Sequence, residues 1–263
     1  MKPKMKNFFR QRQWWAGFWA NFFGALLGIV VTFGTSSYLD YREKKAMGRT
    51  AALMTISNIE FSIQTFDVVS EVFRSRATVF KTILKHYPDE LYQVSEDTLY
   101  MYINSFNKIH SDFIVDSSAE GIFTHSSDIW RTLDNPTLQQ RIGSCFSYRN
   151  FLYRFIATLY QKQQDVALKF LDEKYFCDHE NLAVIAKELT AIPAVRNFMM
   201  YFPSRIDFLD NHLQALKLIN KRNMQDMHIS DEELSKYLAL YEEEYEDDSE
   251  AAGESNAEEP PME

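Results

Sequence analysis

The sequence predicts an all-α protein with one N-terminal transmembrane helix followed by an elongated helical bundle. Three observations carry that prediction. There is no charged side chain between Gln13 and Leu39. Beyond that stretch, apolar residues recur at alternating spacings of three and four, the signature of helices with one buried face. No run of alternating residues bounded by a hairpin turn suggests a strand pair. On this basis the chain divides into a basic N-terminal segment (1–13), a transmembrane helix (14–39), an α-helical domain (40–240) and an acidic tail (241–263).

The apolar stretch comes first. Trp14 to Phe33 is almost wholly apolar, with Asn21 the one strongly polar residue. About 20 such residues at about 1.5 Å each match a hydrocarbon layer of about 30 Å. Trp14, Trp15 and Trp19 stand at one end and Tyr38 and Tyr41 at the other, where amphipathic rings favour the headgroup region. A cleaved signal peptide is the competing reading. The run is longer than a usual signal core and lacks a clean A-x-A site, so a retained span is the expectation. Lys2, Lys4, Lys6, Arg10 and Arg12 precede it, while Arg42, Lys44, Lys45 and Arg49 follow. That five-to-four balance favours a cytoplasmic N-terminus.

Within the span Ala20, Gly24, Gly28, Thr32 and Ser36 place a small residue at every fourth position. This spacing returns to nearly the same helix face. In lipid, small residues allow helix backbones to approach closely, and Gly24-x-x-x-Gly28 is the minimal form of such a face. The expectation is transmembrane packing on a second copy or on another membrane protein. The competing explanation is that glycine is simply common in membrane helices.

From Ile56 the apolar positions Ile59, Ile63, Phe66, Phe73, Ala77, Phe80 and Leu84 continue a three-four alternation of coiled-coil type, broken only by Ser70. Phenylalanine at every seventh position is bulky for a two-stranded seam, so a bundle is expected. Run unbroken from the span to His86, this helix would be about 110 Å long. A break or kink is expected near Thr35 to Ser37 or at Gly48, because glycine weakens a helix. Pro88 closes the helix, and Ser95 opens a shorter one with Leu99, Ile103, Phe106 and Ile109. Asp116 to Ser118 and Ser126 to Asp128 read as caps around a short helix, with Trp130 and Leu133 as core contacts.

Asn135 before Pro136 is a strong helix start. The helix it opens carries Leu138, Ile142, Cys145, Leu152, Ile156, Leu159, Val166 and Phe170, with Arg149 and Gln163 at two seam positions, and is expected to reach about Phe176. Those polar residues either face a solvent gap or fix register. A helix from after Asp178 to about Leu189 follows, then a break at Pro193 and a short helix with Phe198 and Met199. Another is expected to open at Pro203-Ser204 with Asp207 completing a capping box. Ser230 with Glu233 repeats that pattern before Leu234, Leu238 and Tyr241.

The basic N-terminus, the single span, the charged segment Asp40-Tyr41-Arg42-Glu43-Lys44-Lys45, the long helix, Ser118-Ala119-Glu120-Gly121-Ile122-Phe123 and the helix start from Leu133 to Ile142 resemble a family of uncharacterised bacterial single-span membrane proteins with an α-helical domain. The resemblance implies an inner-membrane protein without established activity, and transfers no functional residue. The side expected for the helical domain, the periplasm, follows from the charge balance around the span alone.

The formal charge of −9 comes from the tail, where 11 acidic residues stand without Lys or Arg. The rest holds 28 basic against 26 acidic residues and gives no sign of nucleic acid as a partner. The tail lacks the apolar residues that offset chain entropy, so disorder is expected beyond about Tyr245. It would act as a solvating tail, contact a basic partner or screen the domain from anionic lipid.

Chemistry is sparse. Cys177-Asp178-His179-Glu180 holds metal-ligand residue types without the paired spacing of a structural zinc site, and a helix boundary explains it more simply. If 136–176 is one helix, Cys145 and Cys177 stand about 48 Å apart, far beyond disulfide reach, so two free thiols are expected. His125-Ser126-Ser127-Asp128 has the residue types of a hydrolase, but a triad is assembled by the fold and not by adjacency. No nucleotide, cofactor or metal motif is present, and no cofactor is expected. The function expected is a non-enzymatic, membrane-anchored interaction or scaffold protein whose partners are the bilayer and a second copy or another membrane protein. The alternatives are a sensor binding a small ligand and, third, an unrecognised enzyme.

Overall fold

The computed structural model describes the backbone of residues 4–107, 118–170, 173 and 181–239, and the side chains of that set from Tyr38 onward, Asn107 and Ile129 excepted. Every regular element among the described residues is helical, as the spacing predicts. In chain order they are α1 (Lys4–His86), a 3-10 turn (Leu91–Gln93), α2 (Glu96–Asn107), α3 (Ser118–His125), α4 (Ser127–Arg131), α5 (Pro136–Asp165), the single turn α6 (Leu168–Phe170), α7 (Leu182–Ala191), α8 (Pro193–Met227) and α9 (231–239).

Three long helices form the frame. One buried series of α1 runs through Ala52, Ile56, Ile59, Ile63, Phe66, Ser70, Phe73 and Phe80. In α5 the series is Leu138, Ile142, Cys145, Arg149, Leu152, Ile156, Leu159 and Gln163. In α8 it is Val195, Met199, Phe202, Ile206, Leu209, Leu213, Leu216, Asn220 and Asn223. The α5 and α8 series alternate by three and four without a slip, and the α1 series does so as far as Phe73 before a step of seven to Phe80. Each helix thus turns a seam inward, while α1 is buried on further faces at Leu53, Ser57, Asn58 and Ile83. The α1 seam lies most extensively against α8, and α8 against α5. Asn220 meets Ile56 while Asp210 meets Arg74, so α8 runs antiparallel to α1. Asn58 meets Arg149 and Arg76 meets Gln163, so α5 runs parallel to α1. Each fully buried Phe or Ile contributes about 2–3 kcal/mol.

The caps act as the sequence predicts in several places. The side chain of Asn135 accepts from the Leu138 amide at 3.0 Å, with Pro136 in the first turn. Ser230 and Glu233 exchange amide bonds, Ser230 Oγ accepting from Glu233 at 3.2 Å and the carboxylate accepting from the Ser230 amide at 3.1 Å. At the end of α8, His228 turns left-handed (φ 50°) where glycine is the usual residue.

Three boundaries differ from expectation. α1 has no break at Thr35 to Ser37 or at Gly48: all 83 residues, about 125 Å, are one helix. Good helix formers flank Gly48 on both sides, and its backbone is buried at the edge of the bundle, so packing outweighs its propensity cost of about 1 kcal/mol. α8 is also one helix, with Pro203 inside it rather than at a start. An interior proline costs about 3 kcal/mol or more. The apolar seam passes it on both sides, and burial of that seam holds the turns together. The expected Ser204–Asp207 capping box is therefore absent, and Ser204 Oγ donates back to the Tyr201 carbonyl at 2.8 Å. α5 stops at Asp165 rather than near Phe176, and α7 starts at Leu182 behind its own cap, Asn181.

From Tyr38 to Met47 every α1 side chain is exposed, and burial begins at Gly48. This exposed neck lies between the bundle and the apolar stretch. Among the described residues no helix is long and apolar enough to cross a membrane. The predicted span falls almost entirely on residues whose side chains lie outside the description, as does the acidic tail.

Candidate interaction surface

The neck end of the bundle has a polar interior. Thr55, Ser57, Asn58 and Ser62 of α1, Arg149 of α5, and Asn220 and Asn223 of α8 are all buried. The fully buried Arg149 guanidinium donates to Asn58 Oδ1 at 2.9 Å and to Glu120 Oε2 at 2.7 Å, and its Cζ sits 4.8 Å from the centre of the Phe146 ring. Asn150 adds its amide to both Glu120 oxygens at 3.1 Å. The Glu120 carboxylate therefore ties α3 to α5, and the Arg149 guanidinium ties both to α1. The Asn220 amide donates to Glu60 at 2.8 Å and to the Ile56 carbonyl at 3.3 Å. Arg141 donates to Asn223 at 2.9 Å and also holds Asp226. Asn223 in turn donates to the Cys145 thiol at 3.5 Å. Burial, the largest influence, pushes that thiol up to about 12 against the opposing pull of Asn223 and Arg141.

Further along, the second polar residue on the α5 seam is buried too. Gln163 donates to the Ser105 carbonyl and accepts from Arg76 at 3.4 Å. Arg76 lies over Phe73 and Tyr160, and its burial lowers its affinity for a proton. Arg149 and Gln163 therefore pin register rather than face a solvent gap. Their partners Glu120 and Ser105 come from short helices whose placement no local spacing encodes.

Across α5 and α8 runs an aromatic face. Phe151 and Phe155 on α5 meet Phe208 and His212 on α8, with Phe208 and His212 4.2 Å apart, Phe155 and Phe208 5.1 Å, and Phe151 and His212 5.1 Å. Phe151 is 42% and Phe208 39% exposed, so this ladder meets solvent rather than closing a core. Aromatic rings presented on a rigid surface are common anchors of protein interfaces. Nothing in the seam pattern marks them, because they fall between the buried positions of both helices.

A groove of about 410 Å³ opens beside Pro203, between α8 and the far part of α1, lined by Ala77, Thr78, Lys81, Leu84, Met199 and Met200. Its volume suits a small ligand, yet Lys81 and Thr78 are its only polar side chains besides apolar and thioether surface.

The sequence candidates are only partly within view. Ala20, Gly24, Gly28, Thr32 and Ser36 lie on helical backbone, but their side chains are outside the described residues. Cys177, Asp178, His179 and Glu180 are outside as well. Among the described residues no three His, Cys, Asp or Glu side chains gather as a metal ion requires. Cys145 is a free, buried thiol. The His125-Ser126-Ser127-Asp128 group is not drawn into a triad: His125 Nδ1 donates to the Gly121 carbonyl at 2.8 Å, and Asp128 pairs with Arg131 at 3.8 Å. No family model, curated protein or solved structure matches the chain.

Proposed function

We propose that the chain is a membrane-anchored, non-enzymatic helical interaction or scaffold protein of the bacterial envelope. In this reading residues 14–39 form a single-pass anchor in the inner membrane and the bundle lies on the periplasmic side. The observation that carries the reading is the continuity of α1, which runs from the charge-free stretch through the exposed neck into the bundle seam without a backbone break. The neck has the composition of a headgroup region, with Tyr38 and Tyr41 exposed beside Arg42, Lys44 and Lys45. The aromatic face of α5 and α8 supplies a rigid surface for a protein partner. The resemblance to uncharacterised single-span proteins points the same way.

Oligomerisation through Ala20, Gly24, Gly28, Thr32 and Ser36 belongs to the same proposal. It is tested by disulfide crosslinking in membranes, using single Cys substitutions from Ala20 to Ser36 with Cys145 and Cys177 replaced. Crosslinks recurring at every fourth position are the expected result, and Gly24→Leu with Gly28→Leu should weaken association while the bundle stays folded. Unchanged association in that double variant overturns the packing face. A second reading, a sensor for a small apolar ligand, is favoured by the groove beside Pro203. Protection of Met200 from oxidation by a bound ligand would support it.

A further inference from the structure

We infer that the acidic C-terminal segment 240–263 docks on the basic face of the α1 neck in the same chain. The face is defined by helix geometry. Arg42, Lys45 and Arg49 are spaced by three and four, so they lie within about 60° of one another around the helix. Asp40 and Glu43 fall about 160° and 100° from Arg42. The same three-four register runs on into Ala52 and Ile56, which face α8 inside the bundle. Above the bundle edge the seam thus continues as an exposed basic strip. Among the described residues Arg42 and Lys45 make no ion pair.

Where the chain leaves the bundle decides the occupant. Arg49 donates to Glu233 of α9 at 2.8 Å and to the Met227 carbonyl, the end of α8, at 3.0 Å. α9 is therefore held on the basic strip itself. Ala239 lies six residues beyond Glu233, about 9 Å along the helix, while Lys45 and Arg42 lie about 6 and 10 Å along α1 from Arg49. A chain the length of 240–263 spans at least about 27 Å on average, so it reaches the strip without strain. Within residues 241–263 there are 11 acidic side chains and no basic one. At physiological salt charges interact over about 8 Å, so a segment of that reach, leaving the helix that Arg49 holds, can bring its carboxylates within electrostatic range of Lys45 and Arg42. Arg49–Glu233 is the first contact of this series, and the segment beyond continues it along Lys45 and Arg42.

The test is zero-length carbodiimide crosslinking of the full chain, read by mass spectrometry on a mixture of isotope-labelled and unlabelled protein. The expected result is amide links from Lys45, with Lys44 beside it, to Asp or Glu of 242–250. These links should arise within one isotopic copy and be lost in high salt. A second measurement follows acetylation of the lysines. Replacing the tail acids by Gln and Asn should accelerate Lys45 severalfold and leave Lys81 unchanged. Tail links spread equally over Lys81, Lys187 and Lys217, links only between differently labelled copies, or unchanged Lys45 acetylation each overturn the proposal.

Discussion

Near the neck, α1, α5 and α8 meet through Asn58, Arg149, Asn220 and Asn223, whereas toward the far end Phe73, Phe80, Phe202 and Met199 fill the interior. There Phe80 stacks on Phe106 at 5.5 Å and meets Phe202 edge-on at 5.1 Å, with Phe73 on Tyr160 at 4.9 Å. Tyr102 closes this layer, its hydroxyl bonded to Thr190 at 2.8 Å, and burial drives its proton affinity up. One geometry is thus filled with two chemistries. The aromatic half gains from area and ring contacts, which tolerate many relative shifts of the helices. The polar half gains little net energy, since a buried pair must offset its own desolvation. Its hydrogen bonds, however, close only in one register. The difference teaches that register pins are concentrated at the neck end and aromatic area at the far end, where Arg76–Gln163 adds one further pin beside Phe73.

The sharpest test of that division is Phe80→Ala, which empties the centre of the aromatic layer. It should cost about 4 kcal/mol in urea unfolding of the full chain, and a cost below about 1 kcal/mol would remove the distinction between the two halves. Next comes Arg149→Ala, which removes the counter-charge of the half-buried Glu120 carboxylate and one donor to Asn58 Oδ1, at about 3 kcal/mol. Arg149→Met combined with Glu120→Leu should recover most of that loss, because the charges leave together. Failure of the double variant to recover would mean that the pair stabilises as well as aligns. Asn220→Leu is expected to change stability by less than about 1 kcal/mol, since the Asn220 Oδ1 is buried without a partner in the wild type. Its effect should instead appear as broadened amide resonances along α8. At the small end, Cys145 should resist thiol reagents at about pH 8 until the chain unfolds, because a thiol raised to about 12 is almost wholly protonated there.

Acid offers a finer probe of the neck end. The Ser230 amide, foremost, and Arg49 hold the Glu233 carboxyl below its ordinary value of 4.5. A group depressed in the folded state stabilises fully above its unfolded value and loses that contribution as the pH falls through the folded one. Protection factors in 231–239, corrected for the slower intrinsic exchange in acid, should therefore fall on acidification below about pH 4.5 while those of α1 and α8 hold, the smallest of these effects.

Much of this division was legible in the residues. The seams of α1 and α5, the Asn135-Pro136 start and the Ser230–Glu233 box follow from spacing and capping chemistry alone. Pro203 was misleading because local rules place a proline at a helix start, while the seam from Val195 to Leu216 keeps the turns joined by tertiary packing. Gly48 misled for the same reason. Arg149 and Gln163 stood out as polar seam residues, yet the choice between solvent gap and register pin rested on Glu120 and Ser105, which no periodicity brings near them. The Phe151–Phe208–His212 face stayed hidden because its rings fall off the seams of both helices.

The unbroken backbone of α1 also sets an azimuth. With no hinge between Lys4 and His86, the direction in which residues 20–36 point fixes the direction in which the aromatic face of the bundle points. Adding one residue within the exposed neck would swing the whole bundle by about 100° and lift it by only about 1.5 Å. Any partner that touches both ends of this helix must therefore match an angle as well as a distance.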